Sequence, residues 1–200
     1  MAVNEGFQGK PPGSKRLPPG QSPVTRWPVL TYGPTQHVGT DRWSLAIDGE
    51  VKTPVTLDWQ AFNKLPKTTM LTDIHCVTRW SRLGMAWEGV TVDELIAQAG
   101  GLTDKAMFVV AESEGDYTTN LPVMDVLGEQ AMVATRAHGE PLTAEHGGPA
   151  RLFVPHLYFW KSAKWVKRLT FTAEDQPGFW EVNGYHNYGD PWREQRYDTD

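Results

Sequence analysis

The feature that most constrains the fold is a series of short apolar runs, separated by turn residues, between residues 43 and 172. Residues 43–47 alternate between apolar and polar side chains, which is typical of a strand with one buried face, and Asp48-Gly49 provides a turn before a second strand from Val51. Further strands are predicted at 70–77, 107–111, 117–121, 131–135, 151–155 and 165–172. Runs this short are typical of strands, so the pattern predicts a mainly β core.

Two short helices are predicted from the residues that would begin and end them. Asp58 provides an N-cap for a helix that stops before Pro66. Thr91 and Glu94 form a capping box at the start of a second helix, which Gly100-Gly101 ends. Because strands outnumber helices and do not alternate regularly with them, the fold class is α+β, with mainly β mixed sheets and short helices in a single domain.

The two ends of the chain differ in composition from the middle. Residues 1–34 hold twelve Gly or Pro and are predicted to form a flexible or extended N-terminal arm. Residues 35–173 are the predicted domain. Residues 174–200 are rich in aromatic and acidic side chains, so we expect an ordered clasp packed on the same domain, facing the basic stretch 151–168.

Charge and composition exclude several classes of protein. A formal net charge of −5 argues against nucleic acid as the main partner. No apolar run approaches the ~18 residues of a membrane span, so none is expected. One cysteine excludes an internal disulfide framework. Residues 1–20 carry no export-signal pattern, so the expected location is cytoplasmic.

Cys76, the only cysteine, is the strongest candidate for chemistry. His75, Arg79 and Arg82 place positive charge near it in sequence, and such charge favours the thiolate form that ligates metals or attacks substrates. The alternative is a buried structural thiol. If both residues lie on a strand, His75 and Cys76 leave opposite faces, so we do not expect them to share a metal ion.

A second group of candidates lies between His146 and Trp165. Gly147-Gly148 would let backbone amides approach a ligand closely, Arg151 offers a planar fork for a phosphate, and Lys164 offers a point charge. The alternative is a glycine turn followed by a strand with solvated lysines. Neither a Walker loop nor a G-x-G-x-x-G motif is present, so the ordinary nucleotide-binding folds are not indicated.

Four motifs follow one another along the chain: His75-Cys76-Val77-x-x-Trp80-Ser81, Trp87-x-Gly89-Val90, His146-Gly147-Gly148-Pro149-x-Arg151 and Lys161-Ser162-x-Lys164-Trp165. In order and separation they resemble the molybdopterin-binding domain of the sulfite oxidase family, from about Leu30 to Phe171. The resemblance implies a sulfite oxidase-type molybdopterin-binding fold and a mononuclear molybdenum-molybdopterin cofactor.

The resemblance also implies roles for individual residues. Cys76 would be the molybdenum ligand and a catalytic residue. The residues assigned to cofactor binding are Thr31, Tyr32, Gly33, His75, Cys76, Ser113, His146, Arg151, Ser162, Ala163 and Lys164. Tyr117 and His186 are hypothesised to be catalytic polar groups, with packing roles as the alternative. His186 would belong to a lid formed by the aromatic tail, with Trp180 also close to the metal.

The implied function is two-electron oxygen-atom transfer on a small sulfur oxyanion or sulfoxide-type substrate. A separate electron donor or acceptor protein is expected, because the chain shows no haem or iron–sulfur ligand set. In sulfite oxidases proper, arginines around the metal bind the oxyanion, and here Arg79 and Arg82 are the arginines near Cys76 in sequence.

Three alternatives remain open. One is a non-catalytic molybdopterin-binding carrier of the same fold. Another is a thiol-reactive enzyme that uses Cys76 directly and depends on an external thiol. The third is a zinc site, for which the candidate ligands His138, His146, His156 and His186 show no recognised spacing.

Overall fold

The computed structural model describes residue 13 and residues 15–200, so residues 1–12 and 14 of the predicted arm lie outside the described residues. The described strands are β1 (Ser22–Pro23), β2 (Ser44–Gly49), β3 (Val55–Asp58), β4 (Thr68–His75), β5 (Trp80–Thr91), β6 (Phe108–Ser113), β7 (Thr118–Pro122), β8 (Met132–Ala137), β9 (Glu140–Pro141), β10 (Arg151–Phe153) and β11 (Val166–Thr172). The α-helices are α1 (Trp59–Lys64), α2 (Val92–Gln98) and α3 (Phe179–Val182), and 3-10 helices lie at Val123–Asp125, Ala144–His146, Phe159–Lys161 and Pro191–Arg193. Within this part of the chain, no helix has the length and apolar character needed to cross a bilayer.

The described strands form two mixed sheets. In the six-stranded sheet, β5 pairs with β4, β1 and β8, and β8 pairs in turn with β9 and β10. The five-stranded sheet has the order β3-β2-β11-β6-β7. The β1–β5 and β2–β11 pairs are parallel and the other pairs are antiparallel. Mixed sheets with few short helices confirm the predicted α+β class.

Both predicted helix starts are present. The Asp58 side chain accepts a hydrogen bond from the backbone N–H of Ala61 at 2.7 Å and so caps α1. The Thr91 hydroxyl accepts from the backbone N–H of Glu94 at 3.2 Å and caps α2. Each cap satisfies a backbone donor that has no partner inside its helix. These short helices therefore begin where their own sequences specify.

The longest strand, β5, is not among the predicted ones. Its sequence lacks a clean alternation and contains Gly84 and Gly89. At Gly89, an added Cβ would lie 2.2 Å from the carbonyl oxygen of Val133, so the close approach of β5 to β8 requires glycine there. The second predicted hairpin strand begins at Val55 rather than Val51, because Val51 forms an isolated bridge with Leu102 instead. Pairing with other segments, rather than the local sequence pattern, therefore determines the extent of β5 and the start of β3.

The C-terminal residues 174–200 pack on the domain through a buried ion pair. Lys161 Nζ lies 2.6 Å from Glu181 Oε1, and both side chains are almost fully excluded from solvent. Glu181 also accepts from the hydroxyl of Thr119 at 3.0 Å and from the indole of Trp160 at 2.9 Å. The tail thus meets the basic stretch, as expected, but through a buried network rather than through exposed pairs.

Candidate functional site

A cleft of about 520 Å³ opens where strand ends from both sheets meet the N-terminal arm and the C-terminal tail. The six-stranded sheet contributes Cys76, directly after β4, and Arg151, the first residue of β10, while the five-stranded sheet contributes Ser113 at the end of β6. The sequence-predicted site residues that line the cleft are Thr31, Tyr32, Gly33, Cys76, Ser113, Tyr117, His146, Arg151, Ser162, Ala163 and Lys164. The fold therefore brings together residues that are widely separated along the chain.

Cys76 lies in the tight connection between β4 and β5. Its backbone N–H donates to the carbonyl of Trp80 at 2.9 Å, and its carbonyl accepts from the backbone N–H of Arg79 at 3.0 Å. Arg79 adopts the left-handed region with a φ of 71°, which closes the turn. From the arm, the amide of Gln21 donates to the Cys76 carbonyl at 3.1 Å and accepts from the hydroxyl of Ser81 at 3.1 Å. Both ends of the Cys76 loop are thus held by backbone and arm contacts.

The charge around the thiol differs from the prediction. Burial raises the pKa of Cys76, and hydrogen bonds from Thr78 and from the backbone of Val77 act in the opposite direction. Arg82 donates to the carbonyl of Leu83 at 3.0 Å and does not line the cleft. The predicted stabilisation of a thiolate by neighbouring cations is therefore wrong. The protein alone favours the protonated thiol, so a metal bound there would have to displace the proton.

Arg79 is turned towards the N-terminal arm. An added Cβ at Gly20 would meet Arg79 Nη1 at 2.9 Å, so the guanidinium lies against the arm and not among the residues that line the cleft. Residue spacing alone does not reveal this direction of the Arg79 side chain. Neither of the two arginines near Cys76 in sequence therefore lines the cleft.

His75 does not line the cleft either, and this corrects its predicted role in cofactor binding. Its Nδ1 lies 2.8 Å from the Ser81 hydroxyl, and its side chain borders a second cavity of about 390 Å³. Successive side chains of a strand point to opposite faces. Because Cys76 faces the cleft, its neighbour His75 is directed away from it.

His186, predicted as a catalytic lid residue, is also outside the residues that line the cleft. It is buried, and its Nδ1 accepts from the backbone N–H groups of Tyr188 at 2.9 Å and Gly189 at 3.2 Å. Two backbone donors occupy this nitrogen, so it shapes the turn of the tail. The neighbouring residue, Tyr185, faces the cleft instead.

The histidines considered as zinc ligands are dispersed. His138 contacts the sulfur of Met85 at 3.3 Å, and His156 lies 3.1 Å from a carboxylate oxygen of Asp125. Across residues 15–200, no three His, Cys, Asp or Glu side chains converge in an arrangement that could hold a metal ion.

Arg151 is the main electrostatic feature of the cleft. It is fully buried and donates to the carbonyls of His146 at 2.8 Å and Ser162 at 2.5 Å. Its guanidinium lies 4.1 Å from the ring centre of Phe159, and its Nε has no hydrogen-bond partner within the described chain. Burial lowers the pKa of Arg151 to about 9. Among residues 15–200, this cation has no carboxylate partner of the kind that buried arginines ordinarily have.

A second cation lies beside it. Lys164 Nζ donates to the carbonyl of Glu145 at 2.5 Å, and burial, together with the charge of Arg151, lowers the pKa of Lys164 to about 7. The ring of His146 packs on the indole of Trp27, with 3.7 Å between ring centres, and burial lowers the pKa of His146.

The polar lining fits an anionic ligand. Three buried donors of the cleft lining, Arg151 Nε, the Ser113 hydroxyl and Trp80 Nε1, have no hydrogen-bond partner in the part of the chain that the structure describes. Leaving such groups without a partner costs free energy, and a phosphate or similar anion would satisfy both the hydrogen bonds and the charge. Ser162 differs, because its hydroxyl accepts from the backbone N–H of Val154 at 2.9 Å and holds the neighbouring strand.

Sequence reasoning did not place several aromatic residues in the cleft. They come from the arm and from the 3-10 helix at Phe159–Lys161: Trp27, Phe159 and Trp160. Trp180 and Tyr185 of the tail line the cleft, as the lid hypothesis expects. The Tyr117 hydroxyl donates to the carbonyl of Trp160 at 2.6 Å, so its proton is already engaged. The one sequence feature that could have indicated this aromatic lining was Trp27, an aromatic residue in a Gly/Pro-rich segment.

The comparison with protein families decides the class to which this arrangement belongs. Residues 32–180 match the model of the oxidoreductase molybdopterin binding domain. The chain belongs to the oxidoreductase molybdopterin-binding domain family. The residues from Cys76 to Lys164, which carry the predicted resemblance, lie inside the matched region.

Relatives in this family include the uncharacterized oxidoreductase YuiH of Bacillus subtilis (strain 168), which is 45% identical over 188 residues, or 94% of each chain. Two catalytic subunits of the protein-methionine-sulfoxide reductase MsrP, from Campylobacter jejuni and Ralstonia nicotianae, are each 26% identical. These matches cover 77% and 78% of this chain but 57% and 52% of those proteins, so the chain spans little more than half their length.

A solved structure shows the shared fold. The sulfane dehydrogenase SoxCD from Paracoccus pantotrophus matches with a TM-score of 0.66 and 24% identity, over 75% of this chain and 42% of that chain. This likeness confirms the sulfite oxidase-type fold predicted for the molybdopterin-binding domain.

Proposed function

We propose that the protein is a molybdenum-cofactor-dependent oxidoreductase that carries out two-electron oxygen-atom transfer. The observation that carries the proposal is one cleft that holds both the only thiol, Cys76, and a buried guanidinium, Arg151, which has no carboxylate partner in the described part of the chain. A thiolate is a soft ligand suited to a redox metal, and a buried cation with an open donor suits the terminal phosphate of a pterin.

The residues of the cleft would hold such a cofactor at its two ends. Cys76 would ligate the metal, while Arg151, Lys164 and the Ser113 hydroxyl would bind the phosphate and polar edges of the pterin. The bound cofactor would supply the redox chemistry. The protein's part is to orient the cofactor, to exclude water with its aromatic lining and to shape the space that the substrate enters.

The lining favours a neutral sulfoxide over a sulfur oxyanion as substrate. Among the described residues, the arginine and lysine that line the cleft are Arg151 and Lys164, which the cofactor's phosphate would occupy. Cys76 belongs instead to a packed cluster with Trp80 and Trp160. An anion brought into such surroundings would lose its hydration without gaining a cation. The two MsrP relatives, named as methionine-sulfoxide reductases, support the same direction.

Sulfoxide reduction balances with two electrons and two protons: the sulfur–oxygen bond breaks, and a sulfide and water are released. We propose that a separate donor protein supplies the electrons, because one cysteine cannot hold an iron–sulfur cluster.

The test uses protein purified after expression with a functional cofactor supply. We expect stoichiometric molybdenum, a thiolate-to-metal band in the visible spectrum and reduction of dimethyl sulfoxide by a reduced viologen dye. Protein without molybdenum would contradict the proposal. Bound molybdenum without turnover of any sulfoxide or of sulfite would instead support a non-catalytic carrier.

A further inference from the structure

One wall of the cleft is a segment that runs across it outside both sheets. This segment, residues 25–36, follows β1 and is termed the strap; it contributes eight of the residues that line the cleft, from Trp27 to Gln36. Just before it, the backbone N–H of Val24 donates to the carbonyl of Ser81 at 2.9 Å. Just after it, the side chain of Val38 packs on the main core cluster. The strap is therefore anchored at both ends and spans the cleft between them.

Between its two ends, the strap makes few polar contacts with the domain. Within residues 15–200, no backbone group of residues 25–38 forms a hydrogen bond with the backbone of another segment. The amide of Gln36 and the hydroxyl of Thr31 donate to carbonyls inside the strap itself, and its two prolines have no N–H to donate. Residues 29–34 are exposed. Segments with few buried contacts open locally at a low cost in free energy, so the strap is the wall that opens most easily.

Aromatic contacts hold the middle of the strap. The indole of Trp27 packs on the ring of His146 with 3.7 Å between ring centres, and the Trp27 carbonyl lies 3.4 Å from Nε2 of that histidine. The same indole meets the edge of Trp87 at 5.2 Å and packs against the core cluster behind the cleft. Further along, Tyr32 packs on Phe179 of the tail at 4.0 Å, but Tyr32 is half-exposed. Trp27 is therefore the main attachment of the strap.

The strap covers the buried cation of the cleft. The guanidinium carbon of Arg151 lies 6.0 Å from the ring of Trp27, 5.9 Å from that of Trp87 and 4.1 Å from that of Phe159. Trp87 belongs to β5 and Phe159 to a 3-10 helix, so these two rings are part of the folded core. Of the three rings, only that of Trp27 belongs to a segment outside the regular structure. Displacement of the strap is therefore the route that uncovers Arg151 without unfolding the sheet.

We propose that the strap is a gate that opens in the cofactor-free protein to admit the molybdenum cofactor and closes over it, with Trp27 as the latch. This inference rests on the proposed function. On opening, the contact between the rings of Trp27 and His146 breaks, and on closing it forms again. A ligand that contacts only the closed form shifts the population towards that form. The strap should therefore be open more often in the cofactor-free protein than in the loaded protein.

Limited digestion of the folded protein with trypsin measures the opening without any turnover. Arg26 is exposed and directly precedes the latch, so cleavage of the bond between Arg26 and Trp27 requires the strap to leave the cleft. Cleavage after Lys105, which is exposed in a turn outside the cleft, is the internal reference. We expect the rate at Arg26, relative to that at Lys105, to be about tenfold or more higher in the cofactor-free protein than in the loaded protein.

Trp27→Ala tests the latch, and Trp59→Ala is its matched control. Trp59 is also partly buried, but it packs on Trp43 and Phe62 and does not line the cleft. With rates normalised to synthetic peptides of the same sequence, Trp27→Ala should raise cleavage of the cofactor-free protein after Arg26 about tenfold, because the stacked ring is lost. It should also take up molybdenum cofactor from a denatured donor protein faster, measured as molybdenum retained after gel filtration. Trp59→Ala should leave both rates within about twofold of the wild type.

Three results would overturn the inference. Equal cleavage after Arg26 with and without the cofactor in the wild type would do so, whether or not Trp27→Ala folds, and would leave the proposed function intact. Faster cleavage of Trp27→Ala without faster uptake of molybdenum would mean that the cofactor enters by another route. A wild-type protein that retains no molybdenum would overturn the proposed function and the gate together.

Discussion

Replacing Arg151 by methionine should separate the stability of the cofactor-free protein from its affinity for an anion. Burial lowers the pKa of Arg151 from 12.5 to about 9, and a displacement of that size corresponds to roughly 5 kcal/mol against the charged form. Methionine removes this cost. It also removes the donors to the carbonyls of His146 and Ser162, and an unsatisfied buried carbonyl costs about 1–3 kcal/mol.

These two effects oppose each other, so the free energy of unfolding of the cofactor-free protein should change by less than about 3 kcal/mol. The affinity for the cofactor, in contrast, decreases without an opposing gain. A hydrogen bond from a charged donor contributes about 1.5–3 kcal/mol, which corresponds to a roughly 10- to 150-fold weaker affinity for the cofactor when Arg151 is lost. The expected signature is a protein of nearly normal stability that no longer holds its cofactor.

Three measurements test the expected behaviour of Arg151→Met: urea unfolding of the cofactor-free protein, calorimetric titration with sulfate, and molybdenum and pterin content after purification. Arg42→Met is the control, because Arg42 is exposed and does not line the cleft. Full cofactor content in Arg151→Met would refute the assignment of Arg151 to the phosphate. A loss of stability above about 5 kcal/mol would show that Arg151 serves mainly the fold.

Four further substitutions test other parts of the site. Cys76→Ser should abolish sulfoxide turnover and the thiolate-to-metal band while the pterin content persists, because a hydroxyl is a harder and less acidic ligand than a thiol. Full turnover in this variant would remove Cys76 from the mechanism. Because folding lowers the pKa of Lys164 from 10.5 to about 7, the cofactor-free protein should gain stability as pH rises through this range and lose affinity for sulfate. Lys164→Gln should flatten both pH profiles, and unchanged slopes would contradict the reasoning. Glu181→Gln should lower the free energy of unfolding by about 3–5 kcal/mol in urea titrations, because the buried Lys161 loses its charged partner and keeps only the uncharged acceptors of Asn120 and Asn187. A loss below about 1 kcal/mol would count against that network. Gln21→Glu keeps an acceptor for Ser81 but loses the donor to the Cys76 carbonyl. The single thiol of the cofactor-free protein should therefore react faster with a thiol reagent. An unchanged rate would mean that the arm does not hold the Cys76 loop.

The features predicted correctly from sequence depend on neighbours a few residues apart. The caps at Asp58 and Thr91 need only the backbone N–H three positions further on, so a local pattern suffices to find them. The short alternating runs likewise specify most strands and therefore the mainly β class. The predicted domain bounds and the cytoplasmic location stay predictions.

The order of the motifs along the chain also predicted several residues of the site. Cys76, Arg151 and Lys164 were selected because a thiol, a planar cation and a point charge suit a metal and a phosphate, and the structure places all three in one cleft. The cleft itself was not visible in any of these motifs. It exists because the ends of β4, β6 and β10 meet, and strand pairing across the whole chain determines where those ends lie.

Tertiary structure alone decided which way several side chains point. Arg79 faces the arm at Gly20, and Tyr185 rather than His186 faces the cleft because backbone donors of the tail hold the histidine in the core. Gln21 reaches the Cys76 carbonyl from 55 residues away. Sequence thus determined which chemical groups the protein has and the local structure they favour. Their directions depended on long-range packing and hydrogen bonds, whose free energy arises only once distant segments are in contact.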